Sequence, residues 1–183
     1  MEKERAFNLP NLISVFRILL IGVYLYFFYG EGENARTIAG FIVLLAGFSD
    51  WLDGFIARKY NLTSKVGAAL DPLADKLMSL TVLLTLVHIG VIPLWFFAGI
   101  LVKELVLIAG GIWLYFKGIH ETIPSNRYGK IATLFFYVAV ILWIAGASQW
   151  MLQVAFGIVL LLNIIALIGY VERAVPLVEE HRG

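Results

Sequence analysis

Cysteine is absent from this 183-residue chain, aspartate occurs only four times, histidine three times and proline five times. Without cysteine there is no disulfide, no thiolate nucleophile and no cysteine-ligated zinc. Charge is scarce as well: charged residues make up 15% and the net charge is +1, so there is no bulk electrostatic attraction for nucleic acid. What the chain has instead is apolar surface. Hydrophobic residues make up 61% and the mean hydropathy is +0.87, which lies outside the composition of soluble domains and reads as a multi-span membrane protein. With no internal repeat, low-complexity tract or soluble second domain, residues 1–183 are expected to form a single all-α membrane domain.

Six segments of about 20 residues have the length that a bilayer core requires. They are Leu12 to Tyr29, Thr37 to Ala57, Pro72 to Ile89, Leu94 to Tyr115, Tyr128 to Ala145 and Met151 to Tyr170. The first is expected to be a retained helix rather than a signal peptide, because no small-residue cleavage site follows it. Short breaks at HIGVIP and GASQW should be tight outer turns. Lys3, Arg5, Arg58, Lys59, Lys65, Lys117, Arg127, Lys130, Arg173 and Arg182 fall on one side of this six-span bundle and only Arg36 on the other. That asymmetry predicts both termini in the cytoplasm, with Trp95 and Trp150 at the outer interface.

All four aspartates, Asp50, Asp53, Asp71 and Asp75, fall in the stretch SDWLDGFIARKYNLTSKVGAALDPLADK. At 3.6 residues per turn, Asp50, Asp53, Gly54 and Ala57 share one helix face, and Gly67, Asp71 and Asp75 form a second acidic edge. Pro72 suits the first turn of a helix, which would set Asp71 near the favourable positive end of the dipole. Carboxylates held this close repel one another and lose hydration in a membrane, and divalent cations offset both costs. Oxygen-only donors point to Mg²⁺ or Mn²⁺, and paired hard cations suit in-line displacement at phosphorus. Gly54 and Ala57 leave room for a ligand, and Arg58 has the fork geometry to grip a phosphate. The alternative is purely structural: ion pairs of these acids with Arg58, Lys59, Lys65 and Lys76.

Asp50, Asp53, Gly54, Ala57, Arg58, Gly67, Asp71 and Asp75 match at every position the signature D-x2-D-G-x2-A-R-x8-G-x3-D-x3-D, in which the chain resembles the CDP-alcohol phosphotransferases. The resemblance implies a homodimer of six-helix bundles embedded in membrane lipids of the plasma (inner) membrane, with the active site facing the cytoplasm. It implies two divalent cations, Mg²⁺ or Mn²⁺, on Asp50, Asp53, Asp71 and Asp75, and Asp75 as the base that deprotonates the acceptor hydroxyl. It further implies a CDP-linked donor held by Asp53, Gly54, Ala57, Arg58 and Gly67.

Weaker signals bear on the acceptor. Asn8, Pro10, Asn11, Ser14 and Arg17 are similar to the opening of the branch that makes phosphatidylglycerophosphate. Lys103-Glu104 and Gly129-Lys130 with Thr133 resemble two further elements of that branch, with Lys103 in place of Arg and Ala132 in place of a second Lys. The implied reaction transfers a phosphatidyl group from CDP-diacylglycerol to glycerol 3-phosphate and releases CMP. Arg17, Lys103, Arg127 and Lys130 are the candidates for the acceptor's phosphate. Arg127 and Lys130 are equally ordinary positive-inside residues. Arg17 lies at the depth of Asp50 and Asp53 and is expected to pair with them or with the donor's pyrophosphate. Lys103 and Glu104 project apart on a helix and are expected to need separate partners. Other acceptors (an inositol phosphate, serine or a second phospholipid) remain open, as do a catalytically silent lipid-binding scaffold and an ion or metal transporter. The transporter reading leaves Gly54, Ala57, Arg58 and Gly67 unexplained.

His88, His120 and His181 are expected to be solvated, the aromatics from Tyr24 to Tyr29 to form a lipid-facing belt, and Trp51 to pack. Gly110 and Gly111 would permit a close helix contact.

Overall fold

A computed structural model describes residues 9–60, 65–119 and 126–180; Lys3, Arg5, Asn8, His120, His181 and Arg182 lie outside the described residues. Those described form six helices: α1 Leu9–Phe28, α2 Ala35–Tyr60, α3 Lys65–His88, α4 Leu94–Phe116, α5 Arg127–Ile144 and α6 Gln149–Glu180. Among the described residues there is no strand, as an all-α chain requires. Among the described residues, four segments are long and apolar enough to cross a bilayer: Ala35–Ile56 of α2, all of α4 and α5, and Gln149–Pro176 of α6. In α1 the apolar segment is the shorter Leu12–Phe28.

Two helices run further than the hydropathy suggests. Helix α3 starts at Lys65 rather than Pro72, so Asp71 sits well past the helix start and gains nothing from the dipole's positive end. The strong helix formers Ala68, Ala69 and Leu70 carry the helix into the proline. Helix α6 continues to Glu180 and passes through Pro176. Helices α4 and α5 stop at glycines: Gly118 and Gly146 take φ of 79° and 72°. Around each, paired hydrogen bonds close a left-handed cap, Gly118 N to Tyr115 O with Ile119 N to Leu114 O, and Gly146 N to Trp143 O with Ala147 N to Leu142 O.

The chain forms two compact units, one of Met1–Ile89 with Trp143–Gly146, the other of Gly90–Leu142 with Ala147–Gly183. In the first, α1 packs against both α2 and α3. Its buried stripe is Ser14, Arg17, Leu20 and Tyr24, spaced at three and four residues. Tyr24 is therefore a core residue and not part of an outward belt, whereas Tyr26 is 76% exposed. The Thr85 hydroxyl donates to Val82 O at 2.8 Å, so its oxygen accepts the hydrogen bond it shares with Tyr24. Phe28 stacks on Trp143 at 5.7 Å, and the Arg36 guanidinium lies 5.9 Å from the same ring. Gly40 is required there, because a Cβ would fall 2.1 Å from Ile144 Cγ1.

In the second unit α4 packs against α6. Phe156 meets Phe96 and Phe136 edge-on at 5.8 and 6.4 Å, joining α4, α5 and α6 through three buried rings. Asn126 caps α5: its Oδ1 accepts from Gly129 N at 2.8 Å while its Nδ2 donates to Ala166 O at 2.8 Å.

Candidate active site

Charge enters the interior of the first unit through Arg17. Helix α1 presents it toward α2, where Asp50 and Asp53 lie one turn apart on a shared face. Arg17 Nη1 contacts Asp50 Oδ1 at 2.9 Å, and Nη2 donates to Asp53 Oδ2 at 2.6 Å. The guanidinium fork thus spans two carboxylates, one oxygen of each. Their surroundings differ: the Asp53 side chain is 2% exposed and the Asp50 side chain 38%. Asp53 is a buried anion held by a buried cation, while Asp50 opens outward.

Helix α3 supplies the other half of the acidic stretch. Asp75 and Lys76 are half-buried, and the Ser79 hydroxyl donates to the Asp75 carbonyl at 2.7 Å. Ala57, Arg58, Gly67 and Asp71 belong to α2 and α3 by their backbones, and their side chains fall outside the described ones. Lys59 has its ammonium 5.7 Å from the Phe55 ring. Among the described residues no group of three or more acidic or histidine side chains gathers at metal-ligand spacing, and Asp71 is not part of that set. The donors themselves are all carboxylate oxygens, a chemistry suited to hard divalent cations and not to zinc.

The remaining candidate residues belong to the second unit. Lys103 Nζ donates to Glu104 Oε1 at 2.6 Å, both side chains being mostly buried, which overturns the expectation that these neighbours could not neutralise each other. Their Cα–Cβ bonds diverge, but a four-carbon stem bends back readily, and in a low-dielectric setting the attraction outweighs the lost rotamer freedom. Arg127 and Lys130 are exposed in the first turn of α5. Cations there oppose the helix dipole, an arrangement that an anion at the same place would reverse.

Other side chains depart from the sequence expectation in smaller ways. Trp51 is 59% exposed and stacks on Phe55 at 5.8 Å along the outer face of α2. His88 is exposed at the end of α3, as expected, and meets Tyr29 edge-on at 5.7 Å. Gly110 and Gly111 have no described atom within 4 Å of a would-be Cβ, so neither serves a close contact inside the described chain. Asn126 escaped the sequence reading, although an asparagine directly before a helix is a recognisable cap signal.

The family model for CDP-alcohol phosphatidyltransferase matches residues 7–168. A Mycobacterium tuberculosis protein named "Putative cardiolipin synthase" is 35% identical over 138 residues, 75% of this chain and 65% of that protein. The chain thus spans 65% of the length of that relative. The Bacillus subtilis "CDP-diacylglycerol--glycerol-3-phosphate 3-phosphatidyltransferase" is 35% identical, covering 73% of this chain and 75% of its own length. A second M. tuberculosis protein, "Probable phosphatidylglycerophosphate synthase", is 32% identical over 94% of this chain and 84% of its own.

Proposed function

Because the chain belongs to the CDP-alcohol phosphatidyltransferase family, we propose that it is a membrane enzyme that transfers the phosphatidyl group of CDP-diacylglycerol to glycerol 3-phosphate and releases CMP. The observation that carries this reading is the complete eight-position signature from Asp50 to Asp75, with Arg17 bridging its first two carboxylates. The names of the B. subtilis relative and of one M. tuberculosis relative support the choice of acceptor.

Asp50, Asp53, Asp71 and Asp75 would hold two divalent cations, Mg²⁺ or Mn²⁺. Bound there, such cations supply charge neutralisation of the phosphates and acidify an acceptor hydroxyl. Arg17 occupies one oxygen of Asp50 and one of Asp53, which locks both side chains in one orientation, as partners behind metal-binding carboxylates do. Asp75 accepts the proton of the acceptor hydroxyl as that oxygen bonds to the phosphorus carrying the diacylglycerol moiety. The bond from that phosphorus to the bridging oxygen breaks, and CMP leaves with the electron pair. Gly54, Ala57, Arg58 and Gly67 hold the nucleotide end of the donor. Arg127 and Lys130, at the positive end of α5, and Lys103 are the cations proposed for the acceptor's phosphate, whereas Arg17 is committed to Asp50 and Asp53.

Six spans with both termini in the cytoplasm, a single domain over the whole chain, a homodimer and a plasma-membrane location complete the proposal; the one-sided distribution of Lys and Arg supports the orientation. A second reading has its own observation: the relative named for cardiolipin synthesis points to a phospholipid acceptor. Purified protein incubated with CDP-diacylglycerol, Mn²⁺ and either glycerol 3-phosphate or phosphatidylglycerol decides between them by CMP release. Release with glycerol 3-phosphate supports the first reading, release with phosphatidylglycerol alone establishes the second, and no release with any acceptor despite bound nucleotide overturns both.

A further inference from the structure

Between α4 and α6 of the second unit runs an apolar groove of about 340 Å³. Val106, Gly110 and Trp113 line it on α4, and Leu167, Val171 and Val178 on α6. Gly110 opens the groove, since a Cβ at this position would meet nothing within 4 Å. The α4 lining positions recur at three and four residues, and the same face reaches Lys117 one turn further on. There the exposed Lys117 ammonium lies 5.9 Å from the centroid of the Trp113 ring. One end of an otherwise apolar channel therefore carries a cation above an aromatic floor.

Size narrows the occupant. From Leu167 to Val178 the helix rises roughly 16 Å at 1.5 Å per residue, about half of the ~30 Å hydrocarbon core, so the groove is one leaflet deep. A single extended hydrocarbon chain is slender enough. The Trp113 contact ties the exposed Lys117 ammonium to this end of the groove's lining.

We propose that the α4–α6 groove binds one acyl chain of an anionic phospholipid, whose headgroup phosphate pairs with Lys117. The proposal does not rest on the transfer reaction proposed above. Purified protein in phosphatidylcholine nanodiscs, doped with either phosphatidic acid or phosphatidylcholine carrying a diazirine on the acyl chain, tests it by irradiation and peptide mapping. Phosphatidic acid should label the segments 106–114 and 167–178 in preference to phosphatidylcholine. Lys117→Gln should lower that labelling roughly fivefold, toward the phosphatidylcholine level. Gly110→Phe, which fills open space, should abolish labelling by both lipids while CDP binding and the melting temperature hold. Labelling of these segments unchanged by Gly110→Phe overturns the proposal, as does equal labelling by the two lipids that Lys117→Gln does not move. Dissociation of a dimer by Gly110→Phe assigns the groove to a second copy instead, and also overturns it.

Discussion

The two units of this chain solve the interior differently. The second is held mainly by hydrocarbon and rings, Phe96, Phe136 and Phe156 among them, with Asn126 as a buried polar residue whose amide is used at both ends and the ion pair Lys103–Glu104 less deeply buried than Arg17 and Asp53. The first buries Ser14, Arg17, Ser49, Asp53 and Thr85 in the space between three helices. A buried ion pair contributes little net stability compared with a well-packed apolar substitute, and it becomes a serious liability when one partner is lost. The first unit thus keeps an arrangement that packing alone would not select, and it is the unit that carries the signature residues. On the proposed function, the site rather than packing accounts for that interior.

Five changes test this contrast. Asp75→Asn should leave the fold intact and lower CMP release by about a hundred- to ten-thousand-fold, the range lost with a general base; turnover equal to the unaltered protein with metal bound would remove Asp75 from that role. Arg17→Gln should cost about 3–5 kcal/mol by leaving Asp53 buried without its guanidinium, seen as a lower midpoint of thermal unfolding. The double change Arg17→Met with Asp53→Leu should recover most of that stability and none of the activity, which separates the two explanations for the buried charge. Gly40→Ala should destabilise the first unit by about 1–3 kcal/mol through overpacking against Ile144. Asn126→Ala, by contrast, should cost only about 1 kcal/mol in the second unit, since it removes a cap and leaves the ring cluster untouched.

Much of this was legible in the chain. The signature spacing marked the acidic stretch, and depth arithmetic brought Arg17 to Asp50 and Asp53, where the ion pairs are found. The family and the all-helical architecture also followed from the sequence. What it hid was direction. A helix surrounded by lipid and protein is apolar on all sides, so hydrophobic periodicity no longer tells inside from outside. In α1 the inward stripe is marked by its polar members, Ser14 and Arg17, and Tyr24 joins them although it reads as one more belt aromatic. Lys103 and Glu104 were misjudged for another reason: backbone geometry fixes where a side chain starts and not where a long, flexible one ends. Pro72 misled because proline marks a helix start only where stronger helix formers do not precede it.

Arg17 also has a consequence in time. Its partner Asp53 follows 36 residues later in the chain. During synthesis, at ~5–20 residues per second, α1 emerges on the order of seconds before the carboxylates that neutralise it. A lone arginine near the middle of a helix resists partition into lipid. On the six-span reading α1 therefore waits at the membrane's edge and enters together with α2 as a hairpin, so the ion pair is formed at the moment of insertion.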